Sequence, residues 1–215
     1  MYSDREDAGY RLARHLQTYK GREVVVLAIP RGGLPLGEIV AKELNAPLDV
    51  VIIKKIGHPY NPEFAAGALN EEGYVLNPDA HVPEEFLDRE VKRLKIEIDK
   101  KHELYYSKTQ PHELRGKWVI IVDDGVATGS TMLATVKLVA KKEPAGIVVA
   151  IPVAPSGTIR KLETSPQIDE VVCLEQPPYF GSVGQFYENF FSVTDEKAVA
   201  ILERANRNFP NEKEA

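Results

Sequence analysis

The sequence predicts a doubly wound α/β domain on a mainly parallel five-stranded sheet with flanking helices. Five short apolar runs carry this expectation: 24–29 (VVVLAI), 50–53 (VVII), 119–122 (VIIV), 147–151 (IVVAI) and 171–174 (VVCL). Most are rich in Val and Ile and show little polar alternation, as strands buried on both faces do. Helix-like stretches at 36–44, 130–141 and 158–162 separate several of them. Strand alternating with helix marks a parallel sheet with both faces covered. A chain of 215 residues favours one domain spanning 1–215, with room for an insertion.

The elements follow in order. Ser3-Asp4-Arg5-Glu6 reads as a capping box with Ser3 at the N-cap. Ala8, Leu12, Ala13 and Leu16 continue it at helical spacing, and Gly21 suits the stop. After the second apolar run, 54–77 holds Gly, Pro and only short apolar pieces, and reads as a long irregular loop that is functional or mobile. A helix is expected over 83–108, with Pro83 in its first turn. Its stripe of Leu87, Val91, Leu94, Ile98 and Tyr105 fits packing on its own domain or a subunit contact. Ser156-Gly157-Thr158 reads as a helix cap. Residues 175–191 are irregular and aromatic.

Composition narrows the function classes. The net charge of −5 supplies no global basic field for nucleic acid. One cysteine rules out an internal disulfide and a cysteine metal cluster, and the five histidines lack close ligand spacing. The charged start MYSDREDAGYR is unlike a signal peptide, and no apolar run reaches membrane-spanning length. A cytoplasmic protein acting on neither membrane nor nucleic acid is expected.

The chemistry concentrates in 119–131, VIIVDDGVATGST. Asp124-Gly125 alone would suit a hairpin turn. The apolar residues that follow, Met132, Leu133, Val136, Val139 and Ala140, have a period of 3.6, so the segment is strand, turn, helix. Its turn lies at the carboxyl end of a parallel strand, where open α/β sheets bind ligands. Small residues let the backbone close on an anion, the helix start offers N–H groups and a positive dipole end, and Thr128, Ser130 and Thr131 add hydroxyls. No Lys follows the last glycine, so this is not a Walker A loop. Asp123 and Asp124 would repel a phosphate, and make sense facing sugar hydroxyls or hydrated Mg²⁺. Phosphate on one side and a diol on the other suggests ribose 5-phosphate.

This segment resembles the 5-phosphoribosyl-1-pyrophosphate (PRPP) motif of type I phosphoribosyltransferases. The resemblance implies that Ala127, Thr128, Gly129, Ser130 and Thr131 bind the 5-phosphate. Asp123 and Asp124 would hold the ribose hydroxyls, directly or through Mg²⁺. Arg31, Gly32 and Gly33 after the first apolar run resemble the family's pyrophosphate loop, with Arg31 facing pyrophosphate and the glycines letting N–H groups approach it. In relatives this loop can carry a non-proline cis peptide, here Pro30–Arg31. Lys54 and Lys55 read as solvated lysines at a strand end; the resemblance makes them catalytic contacts to pyrophosphate. Residues 54–77 then match the flexible catalytic loop, where His58 could contribute a proton, a phosphate contact or nothing. Residues 175–191 match the small hood that receives the acceptor. Tyr179 and Phe180, ahead of Phe186 and Tyr187, are the candidates to stack on a planar acceptor, although aromatics also serve as core.

The implied reaction is Mg²⁺-dependent transfer of the phosphoribosyl group from PRPP to a nitrogenous acceptor, with pyrophosphate released. Ala127 and Ser130 stand where 6-oxopurine enzymes carry Asp and often Lys, so a 6-oxopurine acceptor is disfavoured. A homodimer is expected from family habit alone. A non-catalytic PRPP-binding regulator remains the alternative, and no clear ATP-site signal supports a PRPP-making pyrophosphokinase.

Overall fold

The computed structural model describes residues 1–209, without the side chains of 62–65 and 78. Five parallel strands form the central sheet: β1 (Val24–Ala28), β2 (Leu48–Val50), β6 (Trp118–Val122), β7 (Gly146–Val153) and β8 (Glu170–Glu175), in the order β2-β1-β6-β7-β8. Alternate side chains feed opposite faces, as strand geometry requires. Val24, Val26, Ala28, Ile120 and Val122 enter one core with α1 (Arg5–His15), α2 (Gly33–Leu44) and α6 (Asp195–Ala205). Val25, Leu27, Val119 and Ile121 enter the other with α4 (Ser130–Ala140) and α5 (Ser156–Glu163). Trp118 stands at the amino-terminal foot of the sheet, its ring 5.3 Å from that of Tyr19. A Cβ on Gly146 of the neighbouring strand would collide with that ring.

The doubly wound sheet matches the prediction, with local differences. The first helix is capped by Asp4, not Ser3: the Asp4 carboxylate accepts from the Glu6 and Asp7 N–H groups at 2.8 and 2.9 Å. An ionised acceptor makes the stronger cap bond. β2 stops at Val50, before most of the second apolar run. α6 was not anticipated, although Thr194 caps it through the Lys197 N–H.

The largest difference is in 54–77. It is not an irregular loop but an antiparallel sheet of β3 (Lys54–His58), β4 (Asn61–Asn70) and β5 (Gly73–Leu76). Ile56 and Leu69 of this sheet form a third core with Leu87, Leu94 and Ile98 of α3 (Glu84–Tyr105). The apolar stripe of α3 therefore packs within its own domain. Short apolar pieces suffice because the helix supplies half of that core.

A buried polar network finishes the β2 edge. The Asp49 carboxylate accepts from Tyr106 Oη at 2.5 Å and from the Val50 and His112 N–H groups at 2.8 Å. Burial pushes its pKa up despite these bonds. Asn206 completes the edge, donating to Leu48 O and accepting from Leu48 N as another strand would.

Candidate active site

The strand order reverses between β1 and β6: the chain leaves β1 toward β2 on one side, and β6 enters on the other. The loops following β1 and β6 therefore open side by side at the carboxyl ends of two central strands, the switch point where open α/β sheets take ligands. The first loop carries Arg31, Gly32 and Gly33, and the Pro30–Arg31 peptide is cis. The second carries Asp123 to Gly129 and runs into α4.

The two loops touch. A Cβ on Gly32 would fall on the Asp124 carboxylate, 2.6 Å from Cγ, and one on Gly33 would meet Val122 O at 2.5 Å. The glycines are needed for this loop-to-loop contact. The Gly33 N–H already donates to Ile29 O at 3.0 Å, so it is not aimed at an anion as expected.

Asp123 and Asp124 differ in their partners. Asp123 accepts from the Asp124 N–H at 2.9 Å, and burial, then the adjacent Asp124 charge, pushes its pKa well up. Asp124 is also raised by burial, and Arg5 opposes the shift. Arg5 reaches Asp124 Oδ2 through Nε and Nη2, both at 2.9 Å, with the two side chains 11% and 13% exposed. The same guanidinium lies 3.8 Å from the centre of the Phe190 ring and donates to Phe191 O at 2.7 Å.

Gly125 has φ +156, and a Cβ there would meet Val183 at 2.6 Å. Gly129, with φ +81, turns the chain into α4. Ala127, Thr128, Ser130 and Thr131 line an exposed rim there, while Gly129 is buried beneath it. Thr128 Oγ1 donates to Ser130 Oγ at 3.3 Å. Thr158 was expected to belong to a helix cap, but α5 starts after Pro155 with no side-chain cap bond. Its buried hydroxyl instead donates to Ala127 O at 2.6 Å, bracing the loop from behind.

The cations stand further out. Arg31 Nη1 is 3.5 Å from Asp195 Oδ1, and Lys101 Nζ is bonded to both oxygens of Asp195 at 2.8 and 2.9 Å. Lys54 lies on β3, not at the end of β2, and pairs with Glu97 at 2.7 Å; its neighbour Lys55 is exposed. Over 175–191, Tyr179 is 87% exposed and Phe180 packs 5.2 Å from Phe186. Tyr187 is not available for stacking: it is 5% exposed, packs on Tyr2 and donates to Asp124 O at 2.5 Å.

Arg5, Thr158 and Tyr187 are the site residues that sequence reasoning missed in these roles. Arg5 left a faint signal, a cation in the first turn of a helix, where the dipole disfavours it. The other two contacts span 31 and 63 positions in the chain, beyond any local pattern. A cavity of about 660 Å³ lies elsewhere, along β2 and the 110–114 segment. Asp49, the buried carboxylate lining it, already accepts from Tyr106 Oη and the His112 N–H.

A family model described as "Phosphoribosyl transferase domain" matches residues 6–187. Two Mycobacterium tuberculosis proteins, from strains CDC 1551 and H37Rv and provisionally named phosphoribosyl transferases, are 39% identical over 214 residues. Those alignments cover 97% of this chain and 48% of each relative, so the chain spans about half the length of the curated relatives it matches. The crystal structure of TT1426 from Thermus thermophilus is similar with a TM-score of 0.87 at 40% identity, covering 94% of this chain and 98% of that one.

Proposed function

The chain belongs to the phosphoribosyl transferase family, and from that premise we propose that it moves the 5-phosphoribosyl group of PRPP to a nitrogenous acceptor. The supporting observation is the β6–α4 turn: paired carboxylates at a strand end, then a rim of small and hydroxyl residues at a helix start, braced by Thr158. Residues 127–131 receive the 5-phosphate through hydroxyls and first-turn N–H groups, which an α-helix leaves without intrahelical acceptors. Asp123 and Asp124 take the ribose hydroxyls. Arg31, with Lys54 or Lys55, steadies the charge that develops on departing pyrophosphate. The acceptor enters beside the hood at Tyr179 and Phe180, and Ala127 disfavours a 6-oxopurine.

Mg²⁺ suits this donor set in one way. Among the described residues no group of three or more His, Cys, Asp or Glu could hold a metal. Mg²⁺ commonly takes one or two carboxylates and fills its octahedron with water and phosphate oxygens, so Asp123 and Asp124 could receive it together with PRPP. When bound it would neutralise charge on the diphosphate. The protein's own share is positioning.

One observation favours a second reading. The Arg5 guanidinium occupies Asp124, as expected of a PRPP-binding regulator that holds its carboxylate away from catalysis. Pyrophosphate release from PRPP and Mg²⁺ across a panel of bases and amines decides between them. Release that disappears in Asp123→Ala/Asp124→Ala supports the transferase. PRPP binding with no product from any acceptor supports the regulator, and absence of PRPP binding defeats both.

A further inference from the structure

We propose that Lys101 is a further cation of the pyrophosphate subsite, and that Asp195 holds it in reserve as an internal anion which pyrophosphate displaces. This rests on the reading of Arg31 as a pyrophosphate ligand. Lys101 on α3 and Arg31 on the loop after β1 converge on one oxygen, Asp195 Oδ1, at 2.8 and 3.5 Å. Two cations from separate elements meeting at one oxygen describe a place an anion can occupy.

The chemistry favours exchange. Pyrophosphate carries several charges and can serve both cations at once, whereas a single carboxylate bonds Lys101 closely and Arg31 only at long range. Asp195 is about one-third exposed, so its side chain can turn to water. It is also the first residue of α6, where the helix N-terminus continues to stabilise its charge after release. The α6 backbone need not move, because Ala198, Ile201 and Leu202 anchor it in the core. Lys101 is held separately, with its ammonium 5.6 Å from the centre of the buried Tyr105 ring, a cation–π contact that outlasts loss of the carboxylate. Lys54 repeats the pattern: it is held by Glu97, four residues before Lys101 on α3. Both elements expected to supply pyrophosphate cations thus carry a carboxylate partner before ligand arrives.

Isothermal titration with magnesium pyrophosphate and with PRPP tests this on the full chain. Asp195→Asn removes the competing anion while keeping the side-chain shape, and should tighten pyrophosphate binding roughly two- to fivefold, the scale of a partly exposed ion pair. Lys101→Met should weaken it by a similar or larger factor, and Lys101→Arg should restore it. Thermal melts establish that each variant is folded. Unchanged or weaker binding in Asp195→Asn overturns the exchange, because a purely positioning carboxylate would lower affinity when lost. Unchanged binding in Lys101→Met overturns the role of Lys101. If the wild-type chain binds PRPP but these variants behave alike, the inference fails and the function stands. If the wild-type chain binds neither ligand, both fail.

Discussion

Gly32 and Asp124 share space that admits only one side chain. The carboxylate now occupies it, held there by Arg5, which grips Oδ2 through two nitrogens, while Tyr187 holds the Asp124 carbonyl, so an added methyl must push it out of that hold. Gly32→Ala should therefore displace the carboxylate and lower PRPP-dependent turnover by about a hundredfold, the scale expected for a misplacement of about 1 Å. The check is turnover alongside a melting curve, and near-normal turnover would show that Asp124 is not needed in its present position. Arg5→Gln removes the largely buried partner of a carboxylate and should cost on the order of 2 kcal/mol in urea melts. It also frees Phe190 and Phe191, so backbone amides near 190 should exchange faster with solvent. Neither residue was legible in these terms. Gly32 was expected to serve an anion and Arg5 a helix start, because each meets its partner only after distant parts of the chain come together.

The β6–α4 turn is the element read most fully in advance. Its apolar period, paired carboxylates and small residues all act locally, so sequence and backbone agree. The insertion was the least legible. A strand paired on a small sheet needs only a few apolar side chains when a helix covers it, and 54–77 lacks the long runs that announced the central sheet. α3 and this small sheet share a core separate from the two main ones. Ile98 is fully buried there. Ile98→Ala should destabilise by roughly 2–4 kcal/mol, with hydrogen exchange rising first in β3, β4 and α3 and only later in β1 and β6. Uniform loss across the central sheet would show that the insertion folds as one unit with the rest.

Across the whole molecule, segments far apart in the chain close the fold. Residues 2 and 3 pair with the 175–191 segment through Tyr2 N to Phe186 O and Asn189 N to Ser3 O, at 2.8 and 3.0 Å. At the opposite sheet edge, Asp49 joins β2 to Tyr106 after α3 and to His112, and Asn206 ties in the end of α6. Burial holds the folded Asp49 pKa above its usual 3.8. The folded state then keeps its proton to higher pH than the unfolded chain, so this group makes stability fall as pH rises from about 3.8 through the raised folded value. Asp49→Asn should abolish that slope in urea melts run across pH. It should also cost about 1–3 kcal/mol, because an amide has one acceptor oxygen for three donors. A slope that survives the substitution would assign the pH dependence elsewhere.

Trp118 is the sole indole of the chain, wedged against Tyr19 and Gly146 at the foot of the sheet. Asp123 lies five residues further along, roughly 16 Å away at the rise of a β-strand. Its fluorescence should therefore follow the melting of the sheet and remain indifferent to what occupies the loops. A single cuvette can then verify that a variant is intact while a calorimeter records what it binds.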